Sequence, residues 1–429
     1  MTSHDTLYLP RQITDAPHGH ILTNTAVWSP DSEWIVYDIR SDLTGSVFDG
    51  TRIERVDVAS RRVEVLYESR HGACCGVATY HPAAEEVVFI LGPEHPTPDW
   101  QYSLCHRQGV ILDTNRPQKI RNLDARDLTP PFTSGALRGG THLHVFSPDG
   151  RFVSFTYDDH LLTELSESSN VDPNQRNVGV SLVGQSVTVA ETHPRNHNGI
   201  AFSVLVTKTV CSPTPGSDDI SRAYEDAWID DRRIAFLGDV VSATGDNVAE
   251  LFVVELPDDV TFDANEPLVG TATRLPAPPA GTVQRRLTFT TNRKHPGIQG
   301  PRHWPRPSPD GSRIAFLMRD DQSHVQLWTM ASAGGAPRQV TQFAFDITSA
   351  FSWHPNGEHI AAIADGSVWT INSNTGVTRR LTQAPAKNFL PRAEACIFSP
   401  DGKHIAYVQP ANRGDATYNQ IFVVEAGLA

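Results

Sequence analysis

Cysteine is scarce in this chain of 429 residues, and the five cysteines lack the spacing of a zinc site. Their number is odd, and the adjacent residues Cys74 and Cys75 are poorly placed to bridge each other. A disulfide framework is therefore not expected. The cysteine content predicts a reduced, cytoplasmic protein.

Long apolar runs and an excess of positive charge are also missing. No stretch approaches the roughly 18 apolar residues of a membrane span, and residues 1–12 lack the apolar core of a signal peptide. Lys and Arg number 36 against 49 Asp and Glu, so the formal net charge is -13. Because an acidic protein repels phosphate backbones, neither nucleic acid nor a membrane is expected as a partner.

Turn-forming residues are abundant, and many of them belong to an internal repeat. The 30 Gly and 31 Pro favour many short strands over long helices. The turn Ser-Pro-Asp-Gly, or a variant of it, recurs along the chain, and a short apolar run follows each copy. Pro and Asp begin such a turn, and Gly adopts the positive φ that the turn requires. The first residues of the seven copies are Ser29, His81, Ser147, Trp228, Ser308, His354 and Ser399.

The repeat predicts an all-β fold, a single seven-bladed β-propeller that spans residues 1–429. Residues 10–14 (Pro-Arg-Gln-Ile-Thr) resemble residues 337–341, which end a blade, whereas residues 421–425 resemble a third strand without a fourth. The N-terminal strand is therefore expected to close the last blade, which removes an exposed sheet edge. Residues 192–220 are interpreted as an insertion between blades 3 and 4, with an extra strand from Ile200, that caps the channel mouth.

The Ser-Pro-Asp-Gly blades resemble the TolB-type propeller repeat, and the whole chain is similar to the YidR-like bacterial propellers. The resemblance implies the propeller fold and no particular activity. Function has to be argued from the site.

A candidate metal site follows from the first strand of each blade, which borders the channel of a propeller. His142 and His144 stand five and three places before their turn, so alternation along a strand would present both imidazoles to one metal. His303 occupies an equivalent place in another blade, and Gln299, Glu225 or Glu394 would complete the shell. The alternative is that these are polar, water-bonded residues of the channel.

The segment Thr141-His-Leu-His-Val-Phe-Ser-Pro-Asp-Gly resembles the matching segment of oligogalacturonate lyases. These are cytoplasmic seven-bladed propellers that hold manganese with histidines and a glutamine. The resemblance implies a divalent cation, manganese, as cofactor. The glutamine of that family lies three places before the first histidine, where this chain has Gly139.

Two further segments supply residues that could act on a ligand. The expected insertion carries three basic residues, and three residues next to His303 combine guanidinium groups with an indole that could stack on a sugar. A second polar and aromatic cluster occupies residues 100–107. The catalytic candidates are His193, His197 and Arg302, and the substrate-binding candidates are Trp304, Arg306, Arg195, Glu394 and Asn24.

These residues predict a metal-assisted lyase that cleaves a small acidic oligosaccharide, bound in the central channel, by β-elimination. A cation on the uronate carboxylate would stabilise the charge that develops when a histidine removes the neighbouring proton. The alternative is a non-catalytic, TolB-like module that binds a ligand or a protein. The chain has no Gly-x-Ser-x-Gly segment, which argues against a propeller peptidase.

Overall fold

The structure, a computed structural model, describes residues 7–165, 171–302 and 304–428. Nearly all of its regular structure is β-strand. The described helices are one short α-helix, α1 (His160–Glu164), and one 3-10 turn, Lys387–Phe389. None of the described helices is long and apolar enough to cross a membrane.

The strands are short, as the density of turn residues predicts. In chain order they are β1 (Arg11–Gln12), β2 (Gly19–Ile21), β3 (Trp34–Arg40), β4 (Arg52–Asp57), β5 (Val63–Glu68), β6 (Cys75–Tyr80), β7 (Glu86–Leu91), β8 (Gln108–Asp113), β9 (Ile120–Asn122), β10 (Ala125–Arg126), β11 (Ala136–Leu137), β12 (Gly139–Phe146), β13 (Phe152–Asp159), β14 (Asn177–Val187), β15 (Gly199–Leu205), β16 (Ala223–Trp228), β17 (Arg233–Val241), β18 (Asn247–Glu255), β19 (Val283–Arg286), β20 (Arg306–Pro307), β21 (Arg313–Arg319), β22 (Val325–Ala331), β23 (Arg338–Gln339), β24 (Ser352–Trp353), β25 (His359–Ala364), β26 (Ser367–Asn372), β27 (Thr378–Arg380), β28 (Cys396–Phe398), β29 (His404–Arg413) and β30 (Ala416–Glu425).

These strands form seven four-stranded sheets, with orders β2-β3-β4-β5, β6-β7-β8-β9, β12-β13-β14-β15, β16-β17-β18-β19, β20-β21-β22-β23, β24-β25-β26-β27 and β28-β29-β30-β1. A parallel pair, β10-β11, is added. The predicted class, an all-β seven-bladed β-propeller, is confirmed. Two compact units divide the chain: unit 1 comprises residues 1–68, 75–80 and 292–429, and unit 2 comprises residues 69–74 and 81–291.

The N-terminal strand completes the seventh sheet, as predicted. Arg11 and Gln12 of β1 pair antiparallel with Val423 and Phe422 of β30. The Thr14 hydroxyl extends this contact, because it donates to Gln420 Oε1 at 2.8 Å and accepts the Ile421 N–H at 2.9 Å.

The Ser-Pro-Asp-Gly turns have the hydrogen bonds that their sequence suggests. At Ser147 the hydroxyl donates to Asp149 Oδ1 at 2.6 Å and accepts the Phe152 N–H at 3.0 Å. Gly150 has φ 72°, and a Cβ there would lie 2.2 Å from Nε2 of the His81 ring. His81, the first residue of one turn, therefore packs on Gly150 in the turn of the next blade. Only a residue without a side chain allows this close contact.

The segment 192–220 differs from its prediction. Residues 199–205 form β15, whose Phe202 pairs with Leu182 of β14. The expected extra strand is therefore the fourth strand of the third blade. Its apolar alternation places Val204 and Phe202 in the core that this blade shares with the fourth, which is why it pairs within the blade.

Candidate functional site

The predicted pair His142 and His144 lies on β12, but a bulge separates the two residues. The register with β13 shifts between His142 and Val145, and Leu143 has φ 57°. A bulge inserts an extra residue and breaks the alternation of side chains. The premise that both imidazoles share one side of a regular strand therefore does not hold here.

His144 has no exposed surface, so it does not line a channel as expected. Its Nε2 lies 2.9 Å from the Thr141 hydroxyl, which donates to Asp124 Oδ1 at 3.3 Å. Since that hydroxyl has a single proton, His144 Nε2 is the donor in this chain of hydrogen bonds. Burial, helped by Arg107, lowers the pKa of His144 from 6.5 to about 3 and keeps the ring neutral.

Gly139, where oligogalacturonate lyases have the glutamine, has no room for a side chain. A Cβ at this position would lie 2.1 Å from the Asp158 carbonyl oxygen and 2.8 Å from Cα of Asp159. The chain entering α1 occupies that space. A manganese shell of the lyase type, with a glutamine at position 139, therefore does not fit this backbone.

The other predicted metal residues are dispersed over the two units. Gln299, in unit 1, accepts a hydrogen bond from Arg319 Nε at 3.2 Å and donates to the Pro296 carbonyl oxygen. Glu225, in unit 2, is half-buried and has φ 57° at a second bulge. His303 lies outside the described residues. The five-residue shell stays a prediction.

A predicted catalytic residue, Arg302, and a predicted substrate-binding residue, Glu394, pair with each other in unit 1. Arg302 Nη2 lies 3.6 Å from Glu394 Oε1, and Arg392 Nη2 lies 3.4 Å from the same oxygen. The carboxylate of Glu394 thus already has two guanidinium partners.

The remaining predicted residues of unit 1 form a second small group. The Arg306 guanidinium donates to the Asn24 carbonyl oxygen at 3.2 Å and lies 5.3 Å from the centre of the Trp304 ring. Asn24 and Arg306 are both buried. Their role as ligand-binding residues stays a prediction.

Unit 2 brings together two segments that the sequence left separate, residues 100–107 and residues 191–199. Trp100 is the centre of this cluster and is only 6% exposed. The His106 ring stacks on it at 3.7 Å, and the His160 ring meets it edge-on at 4.7 Å. Arg126 and Arg195 lie 5.5 and 5.6 Å from the Trp100 ring. Trp100 is therefore a scaffold for histidines and arginines and is not open to a sugar ring.

The predicted residues His193, Arg195 and His197 join this cluster through backbone contacts. Arg195 donates to the carbonyl oxygens of Glu94 and His95, each at 2.9 Å, and its N–H donates to His193 Nδ1 at 3.1 Å. His197 exchanges two backbone hydrogen bonds with Arg126, at 2.9 and 3.1 Å. The loop is thereby held on the site.

His106 and His160 form a hydrogen-bonded pair whose tautomers are fixed by their surroundings. His106 Nδ1 lies 2.7 Å from the Gln101 carbonyl oxygen, which can only accept, so Nδ1 carries the proton. His106 Nε2 then accepts from His160 Nδ1 at 3.1 Å. The lone pair of neutral His160 is left on Nε2, so this nitrogen can receive a proton from a ligand.

Two arginines bring buried positive charge to the site. Arg126 is 2% and Arg107 5% exposed, and neither makes an ion pair within residues 7–165, 171–302 and 304–428. Arg126 donates to the backbone carbonyl oxygens of His106 and Arg107 at 3.2 and 2.5 Å. The charge of the buried Asp124 carboxylate acts on Arg126, but from beyond ion-pair distance. A buried guanidinium without a carboxylate in direct contact attracts an anionic ligand.

The histidines of the cluster are held neutral. Burial is the main cause, with His106 and Arg126 adding to it, and together they lower the pKa of His160 to about 4. Burial and the charges of Arg195 and Arg126 also lower the pKa of His193. Burial followed by Arg126 lowers the pKa of His197 to about 3. An anion bound beside Arg126 would oppose these effects and make the histidines better bases.

Two groups among the described residues have ligand atoms within 4.8 Å of one another: Cys105, His106 and His160 in unit 2, and His18, His20 and Glu54 in unit 1. In the first group burial raises the pKa of the Cys105 thiol, and the Nε2 lone pair of His106 already accepts from His160. That group is organised as a hydrogen-bonded pair.

A cavity of about 340 Å³ lies beside the cluster. Its lining includes Gln101, whose carbonyl oxygen holds His106, and Tyr102, over which the Arg107 guanidinium lies at 5.5 Å. This volume falls within the range of small-molecule sites, about 300–1,000 Å³.

Comparisons with known proteins agree with the fold. A family described as "Protein of unknown function (DUF3748)" matches residues 74–197, the segment that contains Trp100, His106 and His160. The chain is 48% identical over 403 residues to "Uncharacterized protein YidR" of Escherichia coli (strain K12). The aligned region covers 93% of this chain and 94% of that protein. The chain belongs to the YidR family.

Solved structures place the YidR-family chain near the oligogalacturonate lyases in fold. "Oligogalacturonate lyase in complex with manganese" has a TM-score of 0.56 at 11% identity, over 98% of this chain and 97% of that one. The oligogalacturonate lyase of Vibrio parahaemolyticus has a TM-score of 0.53 at 9% identity, with the same coverage. At these identities the likeness concerns the fold alone.

Proposed function

We propose that this YidR-family chain is a lyase that binds a small acidic, uronate-containing oligosaccharide at the Trp100 cluster and cleaves it by β-elimination. The observation that carries the proposal is buried Arg126, without an ion pair among the described residues, beside the His106–His160 pair. A cationic pocket next to a neutral base suits proton removal from the carbon beside a carboxylate. The expected cytoplasmic location remains part of the proposal.

Each step of the reaction has a group in the cluster. The substrate carboxylate pairs with the Arg126 and Arg107 guanidinium groups, which stabilise the negative charge that develops on it. His160 Nε2 takes the C5 proton, and His106 positions His160 by accepting from its Nδ1. The electrons of the broken C5–H bond form the C4–C5 double bond as the C4–O bond breaks. The leaving oxygen takes up a proton from water, and His160 returns its proton to solvent.

Manganese does not enter these steps, because a glutamine does not fit at position 139 and His144 is engaged by Thr141. The guanidinium groups take over the stabilisation of charge that the sequence assigned to a cation. His193 and Arg195 line the same cluster and are proposed to contact the substrate.

The test is to incubate the purified protein with oligogalacturonates and follow the ultraviolet absorbance of the unsaturated product. The wild type is expected to form product, and His160→Gln should lower kcat by about 10²–10⁴-fold, the usual contribution of a general base. His324→Gln, at a half-exposed histidine of unit 1 paired with Asp346, is the control and should retain activity. Saturable binding of the oligosaccharide without any product would instead support the non-catalytic module.

A further inference from the structure

A second group of imidazoles lies in unit 1, far along the sequence from the Trp100 cluster. Ligand nitrogens of His18 and His20 and a carboxylate oxygen of Glu54 all lie within 4.8 Å of one another. His18 and His20 stand two places apart at the start of β2, and their rings stack at 4.8 Å. Glu54 reaches the group from β4, where it pairs across the sheet with Tyr37 of β3.

The tautomer of His20 directs a lone pair into the group. His20 Nδ1 lies 2.9 Å from the Asn419 carbonyl oxygen, so Nδ1 must be the donor. Nε2 of His20 is then unprotonated in the neutral ring. A backbone carbonyl that holds the outer nitrogen is the usual support of a metal-binding histidine.

Three buried atoms in this group make no hydrogen bond of normal distance and angle to another described residue: His18 Nε2, His20 Nε2 and Glu54 Oε2. The Tyr37 hydroxyl and the His18 ring are the polar neighbours of the Glu54 carboxylate. The His18 nitrogen lies 3.6 Å from Glu54 Oε2, which is too long for a hydrogen bond. Arg52 faces the other carboxylate oxygen, Oε1, at 4.0 Å. The Glu54 and His20 side chains are only 4% and 1% exposed, so water cannot readily replace the missing partners.

We propose that His18, His20 and Glu54 form a binding site for a divalent transition-metal ion. Two imidazole nitrogens and one carboxylate oxygen suit zinc, manganese or iron(II). Such a three-ligand set leaves coordination positions open for water or a ligand. The site shares no residue with the Trp100 cluster, so metal binding here can be tested independently of the proposed lyase activity.

The experiment is a titration of the full chain, purified without a histidine tag and treated with a chelator, with Zn²⁺ and Mn²⁺ by calorimetry. Co²⁺, followed by its visible absorption, reports the coordination number and geometry of the bound ion. The wild type should bind one equivalent and should melt at a higher temperature with metal than without it. His20→Gln and Glu54→Gln should weaken binding by more than roughly 10- to 100-fold, the loss typical of removing only an outer-shell partner of a metal ligand.

Controls keep the result interpretable if a buried variant unfolds. His18→Gln changes the more exposed ligand, at 26%, and should fold while losing the same affinity. His324→Gln removes a histidine that faces a single carboxylate at 3.7 Å and should bind metal as the wild type does. Metal binding that persists in His18→Gln and Glu54→Gln, that is lost in Cys105→Ser, or that is absent from the wild type would overturn the proposal.

Discussion

His106 lies in the turn before β8 and His160 is the first residue of α1, and their Nε2 and Nδ1 atoms lie 3.1 Å apart. The Gln101 carbonyl oxygen fixes the first ring, and through it the tautomer of the second. The basic nitrogen of His160 is thus determined by a backbone atom two hydrogen bonds away. This arrangement follows the logic of catalytic triads, in which a third group orients the base.

Replacing His106 by Phe should separate the role of His106 in positioning His160 from its packing against Trp100. The Phe ring can keep the stack on Trp100, but it cannot accept from His160 Nδ1. We expect kcat on acidic oligosaccharides to fall by roughly tenfold or more with little change in KM, because substrate contacts remain. The pH profile of kcat should shift as well. His404→Phe, at a histidine stacked on Trp28, is the matched control and should leave both quantities unchanged.

The buried His144 should make the protein sensitive to acid. Its pKa is about 3 in the folded state against an ordinary 6.5, so the unfolded chain binds more protons between these values. Stability should therefore be constant above about pH 6.5 and fall as pH decreases toward 3, by up to about 1.4 kcal/mol per pH unit for this group. Urea unfolding at pH 7 and pH 5 should show a smaller difference for His144→Gln. An equal difference in both proteins would contradict the prediction.

The backbone around Gly139 should not accommodate the glutamine that oligogalacturonate lyases have at the matching position. Gly139→Gln is expected to destabilise the fold by about 1–3 kcal/mol or more, since its Cβ would overlap the backbone of Asp158 and Asp159. Gly139→Ala should have a comparable effect, because the clash begins at Cβ. Denaturant midpoints measure both changes. A Gly139→Gln protein as stable as the wild type would show that this segment can move away.

Thr14 should stabilise the junction between β1 and β30. Thr14→Val leaves Gln420 Oε1 and the Ile421 N–H without their partner, at a cost of about 1–3 kcal/mol. Thr417→Val removes a single hydrogen bond on the exposed end of the same sheet and should cost less. Thermal melting of the two variants makes the comparison, and equal melting temperatures would count against the role of Thr14.

The fold was predictable because it depends on local turn chemistry that repeats. Each Ser-Pro-Asp-Gly turn, or variant of it, forms hydrogen bonds within itself, so the seven turns predict seven blades. Even the degenerate copy at Trp228 is recognisable from the apolar run of residues that follows it. The prediction that the segment from Ile200 is an extra strand outside the blades is wrong. Only the pairing of Phe202 with Leu182, seen in the structure, assigns this segment to the third blade.

The site was predictable only in part. The residues 100–107 and 191–199 were both noted, but nothing in the sequence joins them, since their contact depends on how neighbouring blades pack. The sequence gives no signal for His160, which is the first residue of the five-residue helix α1, because nothing in the sequence indicates that α1 lies beside Trp100. The predicted shared orientation of His142 and His144 is wrong, because the sequence gives no sign of the bulge at Leu143.

The junction between β1 and β30 also sets an order of events during synthesis. Arg11 leaves the ribosome long before Val423 exists, so the seventh sheet cannot acquire its outer strand until β30 has been synthesised. Until then β1 lacks the strand with which it pairs in the folded protein. The pairing of β1 with β30 therefore comes after β30 has been synthesised, and it joins two segments that are far apart in the sequence.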